Sequence, residues 1–189
     1  MQFDLTHYTI RRKFWKVFGA SFHVFDPPGR VVGYSKQKAF RLREDIRVYS
    51  DESMREEILV VKARQIIDFS AAYDIVDATE GRKVGAARRK GWSSMIRDSW
   101  EILNADDVPI GRVREDSTFK ALLRRFLSNL IPQTFHLEGA DGRRAAELRV
   151  HFNPFLYRMT VTIDPAAGVD PRLVFGTAVL LCAIEGRQQ

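Results

Sequence analysis

A large apolar residue opens a short alternating run six times along the chain, at Phe22, Ile46, Tyr73, Trp100, Phe135 and Tyr157, at intervals of 24, 27, 27, 35 and 22 residues. Behind each opening come a polar and a second apolar residue, then a polar or glycine-bearing turn, then another apolar stretch ending in basic side chains. Phe22-His23-Val24 leads through Gly29 to Val32-Gly33, and Tyr73-Asp74-Ile75 through Gly81 to Val84-Gly85. Trp100-Glu101-Ile102 leads to Ile110-Gly111, and Phe135-His136-Leu137 through Gly142 to Ala145-Ala146. From the opening residue to the glycine or alanine past the turn is 11, 12, 11 and 11 residues in these four copies. Alternation interrupted by a turn at that interval is the pattern of a β-hairpin, and repeated hairpins bury a shared apolar face by stacking or by closing on themselves.

The turns carry their own chemistry. Asp26-Pro27-Pro28-Gly29 joins residues that preset φ to one that accepts positive φ. Ile46 to Tyr49 is expected to pair with Ile58 to Val61 across a polar loop, Ser50 to Glu57, that holds no glycine. The next three hairpins turn at Thr79-Glu80-Gly81, Asp106-Asp107 and Asp141-Gly142, the last a good hairpin signal. Tyr8-Thr9-Ile10-Arg11-Arg12-Lys13-Phe14-Trp15 supplies a strand leading into the first hairpin, and Tyr157 to Ile163 is the alternating strand of a sixth, partial one.

Two segments have a different period. From Ser117 to Leu130, Phe119, Leu122, Leu123, Phe126, Leu127 and Leu130 recur at three and four residues, which predicts an amphipathic helix whose polar face carries Lys120, Arg124 and Arg125. Such a helix packs on the outside of a sheet or lies on an anionic membrane surface. Asp170-Pro171 is a helix start, and no charge follows Arg172 until Glu185. A helix apolar all round must be enclosed, and this one is too short to cross a bilayer, which takes about 20 residues. Twelve hairpin strands closing into a barrel would leave a lumen that this helix can plug. The expected architecture is therefore mainly β: one domain over residues 5–186, a closed twelve-stranded barrel around a hydrophobic C-terminal helix, with one extra amphipathic helix.

Composition narrows the function. A single cysteine, Cys182, permits no intramolecular disulfide and no cysteine-based zinc site. The first residues show no signal-peptide pattern, so the expectation is a cytoplasmic protein able to sit peripherally at a membrane. A net charge of +6 favours a polyanionic partner. His7, His23, His136 and His151 have no metal-ligand spacing, and there is no nucleophile elbow, P-loop or dinucleotide fingerprint. Cys182 falls in the apolar helix, where burial quietens a thiol. The expectation is no enzyme, no metal and no cofactor.

The succession of hairpins, the opening Tyr8 to Phe14 segment, the Asp26 to Gly29 and Val84-Gly85 turns and the final Asp170-Pro171-Arg172-Leu173 helix resemble the Tubby C-terminal-like superfamily, nearest to its LURP-one-related proteins and phospholipid scramblases. The resemblance implies a twelve-stranded barrel threaded by a C-terminal helix. It also implies, by similarity to Tubby domains, phosphoinositide binding through basic side chains. The Asp-rich calcium segment of scramblases has no counterpart, since only Asp164 and Asp170 stand near the last helix, and the acylated cysteine run is absent. Calcium-driven scrambling is therefore not expected.

The second strands of the first four hairpins end in a basic residue, any residue and a basic residue: Lys36-Gln37-Lys38, Lys62-Ala63-Arg64, Arg88-Arg89-Lys90 and Arg112-Val113-Arg114, with Arg149-Val150-His151 on the fifth. On a strand, residues two apart share a face. The other phase holds Gly33, Ser35, Leu59, Val61, Gly85, Ala87, Gly111, Val113, Ala146 and Leu148, which suits a wall against a central helix. The basic pairs Lys36, Lys38, Lys62, Arg64, Arg88, Lys90, Arg112 and Arg114 then face outward as candidate ligands for a lipid headgroup. Three readings stay open: a barrel binding anionic phospholipid or phosphoinositide, a structural or protein-interaction module whose basic strand ends guard against edge pairing and keep it dissolved, and a binder of nucleic acid or a small ligand.

Overall fold

The computed structural model describes residues 6–15, 19–37, 45–64, 71–89, 99–115, 133–151 and 156–185. Twelve strands follow one another: β1 (His7–Trp15), β2 (Gly19–Phe25), β3 (Val31–Gln37), β4 (Ile46–Tyr49), β5 (Glu57–Ala63), β6 (Ala72–Asp77), β7 (Arg82–Arg89), β8 (Trp100–Asn104), β9 (Pro109–Glu115), β10 (Thr134–Gly139), β11 (Arg144–His151) and β12 (Tyr157–Ile163). Each pairs antiparallel with its chain neighbours, and β1 closes against β12, so the meander is a barrel without an edge. The five complete hairpins are β2–β3, β4–β5, β6–β7, β8–β9 and β10–β11. The partial sixth finds its partner at the other end of the chain, with Ile10 opposite Met159 and Arg11 opposite Arg158. The segment expected to form the amphipathic helix, with Lys120, Arg124 and Arg125, lies outside the described residues.

The loop between β4 and β5 turns without glycine by placing Met54 at φ 55, and Asp107 takes φ 64 in the β8–β9 turn. Both are positions that glycine occupies at lower cost.

Among the described residues one α-helix, α1 (Pro171–Glu185), follows a 3-10 turn, Pro165–Ala167. Asp170 accepts a hydrogen bond from the Arg172 amide at 2.8 Å, the capping expected of Asp before Pro at the first helical position. From Leu173 to Ala183 the helix is buried on every side. Its one interior polar side chain, Thr177, donates to the Leu173 carbonyl at 2.8 Å and so leaves no unmet group. Close approach explains two glycines. A Cβ on Gly176 would come within 2.6 Å of Ile75 in β6, and one on Gly85 within 2.9 Å of Leu173.

Both ends of the plug are tied to the wall by arginine. At the start of α1, Arg172 Nη1 donates to Asp77 of β6 at 2.8 Å and Nη2 to Asp170 at 2.8 Å. At its far end the buried Arg12 of β1 donates to the Cys182 carbonyl at 2.9 Å, which satisfies a helix-terminal acceptor that water cannot reach. Arg12 falls in the inward phase with Tyr8 and Ile10. The inward phase otherwise follows the alternation: Leu59, Val61, Ala87, Val113, Ala146 and Leu148 are all buried. Val60, Ala86 and Leu103 lie in the outward phase and are also buried, apart from the central cluster.

Candidate functional site

The outer face of the barrel presents its charges in rows, because residues opposite one another on antiparallel strands share a face. Along β7, β8, β9 and β10 one row reads Arg88, Glu101, Arg112, Glu138. Arg88 Nε donates to Glu101 at 3.1 Å and Arg112 Nε to Glu138 at 2.9 Å. The Arg112 guanidinium lowers the pKa of the Glu138 carboxyl, chiefly by that hydrogen bond.

Beside this row, Arg64, just past β5, donates to Asp74 of β6 at 2.6 and 2.9 Å and also bonds Asp107. Lys83 meets Asp107 at 2.7 Å and Asp74 at 3.4 Å. Two cations and two carboxylates thus close a neutral cluster. Hydrogen bonds from Lys83, then Arg64, depress the pKa of Asp107, while bonds to Asp74 and Asp107 raise that of Arg64.

The eight candidate residues divide on this basis. Arg64, Arg88 and Arg112 each have a carboxylate partner from a neighbouring strand. Lys36, Lys62 and Arg114 are exposed and have no ionic partner among the described residues. Lys38 and Lys90 lie outside the described residues. Arg112 and Arg114 line one open cleft of about 440 Å³ with Trp100, Glu101 and Pro109. The acids that answer the basic pairs were present in the sequence as Asp74 and Glu101, directly after the opening residues Tyr73 and Trp100, where strand alternation already pointed them outward.

On the next four strands round the barrel a second row reads His151, Arg158, Arg11, His23 along β11, β12, β1 and β2. Arg149, two residues before His151, belongs to the same face and pairs with Thr160. Arg11, Arg149 and Arg158 are exposed and have no ionic partner among the described residues. The Arg11 guanidinium stacks over the Phe25 ring at 4.5 Å. His151 Nε2 is 2.8 Å from Thr160 Oγ1, and burial, then the charges of Arg158 and Arg149, lower its pKa below the usual imidazole value. Of this face, sequence spacing found only Arg149 and His151, as the fifth copy of the basic repeat. Arg11 and Arg158 come together only because the first strand closes on the last.

Among the described residues no group of three or more His, Cys, Asp or Glu side chains is placed to hold a metal ion, and no helix is long and apolar enough to cross a membrane.

A family model described as LURP-one-related matches residues 31–182. No curated protein matches the chain. The X-ray structure of a protein from Arabidopsis thaliana superposes with a TM-score of 0.52 at 11% identity, over 96% of this chain and 91% of that one, a likeness of fold alone.

Proposed function

The chain belongs to the LURP-one-related family, within the Tubby C-terminal-like superfamily, and on that premise we propose that its barrel is a non-catalytic domain that docks on anionic phospholipid headgroups through outward basic side chains. The observation that carries the reading is the set of cations left over on a wall that has no edge. Lys36, Lys62 and Arg114 are exposed without an ionic partner among the described residues. In an open sheet such side chains guard the edge strands against pairing. A closed barrel has no edges to guard, so that account does not explain them. Arg114 shares its cleft with Arg112, which is bonded to Glu138, and the Arg114 charge acts on the same carboxylate from farther off; two guanidinium groups thus share one carboxylate, which leaves net positive charge for a headgroup phosphate. In this reading the protein is cytoplasmic and meets the membrane at its surface.

The test is flotation of the purified protein with vesicles of phosphatidylcholine alone, with phosphatidylserine, and with a phosphatidylinositol phosphate, at low and high salt. Binding to the anionic vesicles that weakens with salt is expected. The double change Lys62→Glu, Arg114→Glu should weaken it by about tenfold or more, since each basic residue near an anionic surface is worth about 1 kcal/mol. No binding to any vesicle would leave the barrel as a protein-interaction module.

A further inference from the structure

We propose that the face formed by β11, β12 and β1 is a phosphate-binding site, in which Arg11, Arg149 and Arg158 converge on one phosphate monoester group. The inference rests on the reading of the barrel as a binder of anionic ligands and places a site that the hairpin repeat does not reveal.

Register carries the argument. Arg11 and Arg158 are directly opposite on adjacent strands, where Cα atoms stand about 4.5–5.5 Å apart. Arg158 is in turn opposite His151, with Arg149 one diagonal step away, which adds a third guanidinium within about 7–8 Å. Like charges directly opposite destabilise a strand pair. The barrel carries that cost on a wall where an acid at any of these positions would have removed it.

The bordering carboxylates do not supply compensation. Glu52 is occupied by His23 at 2.6 Å, and Glu147 by Arg144 at 3.3 Å, with His136 at 4.0 Å. The charges are also held ready. Arg11 is steadied by the Phe25 ring beneath it, and His23 packs on Phe25 and on Tyr34, with ring centroids 6.1 and 4.9 Å apart. Between the arginines stand Thr9 and Thr160, which occupy one register position on β1 and β12 and offer hydroxyl donors. A phosphate monoester has three terminal oxygens and up to two negative charges, which suits three guanidinium forks better than a single carboxylate would.

The phosphate can come from a lipid headgroup or from a free metabolite, and the full chain can distinguish them. Titration calorimetry with inositol trisphosphate and with inorganic phosphate reports the soluble source. Flotation with phosphatidylcholine vesicles carrying a phosphatidylinositol phosphate or phosphatidylserine reports the lipid. The variants are Arg158→Glu, Arg149→Gln and, as a charge-matched control in the β4–β5 loop, Arg55→Glu.

The expected result is trisphosphate binding that Arg158→Glu and Arg149→Gln each weaken by about tenfold or more, with Arg55→Glu unchanged. Arg158→Glu should melt no lower than the parent, because it exchanges a repulsion with Arg11 for an attraction; a loss of binding is then not a loss of folding. If Arg158→Glu does not fold, Arg149→Gln alone decides. Trisphosphate binding without vesicle binding keeps the site and overturns the membrane reading. Vesicle binding that survives both arginine changes overturns the site and keeps the membrane reading. Equal binding to both anionic vesicles with no binding of trisphosphate also overturns the site, since diffuse charge then suffices. Binding to nothing overturns both.

Discussion

Two four-residue rows on adjoining stretches of one barrel wall use the same residue types to opposite ends. On β7 to β10 the row alternates in sign, Arg88, Glu101, Arg112, Glu138, and each arginine has its carboxylate. On β11 to β2 the row is basic throughout, His151, Arg158, Arg11, His23. Backbone geometry is common to both, so the difference lies in side-chain charge alone. Cross-strand ion pairs are worth about 0.2–1 kcal/mol each, and like-charge pairs cost a similar amount. One wall is therefore arranged for stability, whereas the other forgoes stability and stands open to an anion. Counting basic residues misses this; pairing them by register finds it.

What the walls share is the plug, and the largest effect comes from removing it. A chain truncated after Asp164 loses α1 and the burial of Leu173, Val174, Phe175, Val179, Leu180 and Leu181, at about 1.5–3 kcal/mol for each large side chain. The expected product is insoluble or molten, without a cooperative urea transition. A soluble fragment that unfolds cooperatively would mean that the walls stand without the helix.

The next largest effect belongs to the tie that Asp77 makes between β6 and the plug. Asp77→Ala removes the β6 carboxylate that holds Arg172, and breaking a largely buried pair from one side costs about 3 kcal/mol, which urea denaturation would read directly. Burial opposes ionisation of Asp77, but hydrogen bonds from Thr79, Arg172 and Glu80 outweigh it and bring its pKa down to about 2. The folded pKa lies below the unfolded value of 3.8, so this stabilisation is complete above about pH 4 and is lost as pH falls toward 2. A stability profile flat from pH 4 to pH 2 in the parent, or equally steep in Asp77→Ala, would remove the carboxylate from this role.

The barrel was legible in the sequence because its causes are local. Alternation, Asp-Pro-Pro-Gly and Asp-Gly turns, and an Asp-Pro helix start followed by an uncharged run each act within a few residues. Even the need for a plug could be read, since an apolar helix too short for a bilayer has to be enclosed by something. The sites were less legible because charge pairing is set by register between strands. Arg64 and Asp74 can be brought together by adjacent strands, yet Arg64 and Asp107, or Arg11 and Arg158, cannot be paired by any spacing rule. Arg12 shows the same limit: its inward phase could be inferred from Tyr8 and Ile10, whereas its acceptor, the Cys182 carbonyl, required the closed barrel.

A single kind of substitution should have opposite signs on the two walls. Arg64→Glu places a third carboxylate beside Asp74 and Asp107 and is expected to destabilise by about 1 kcal/mol, since the pair is partly screened by solvent. Arg158→Glu places a carboxylate opposite Arg11 and is expected to stabilise by a few tenths of a kcal/mol, up to about 1. Thermal melts at low salt would measure both, and the gap between the two variants should close as salt is raised. If both changes destabilise alike, the rows do not differ in the way described.

The smallest effect is expected at His151. Burial, then Arg158 and Arg149, lower its pKa below the ordinary imidazole value of 6.5. The folded protein therefore binds this proton less readily than the unfolded chain, and the penalty appears only as pH falls below about 6.5. That window is well separated from the one set by Asp77, so the contribution of His151 should change first on acidification and that of the Asp77–Arg172 tie last. His151→Gln keeps a polar partner for Thr160 without a titrating group. The difference in urea midpoint between parent and variant should be independent of pH above about 7 and should shift in favour of the variant near pH 5. A difference that stays constant across that range would mean that neither burial nor the arginines burden His151. The basic row would then cost the fold less than its register implies, and the case for an anion relieving it would weaken by the same amount.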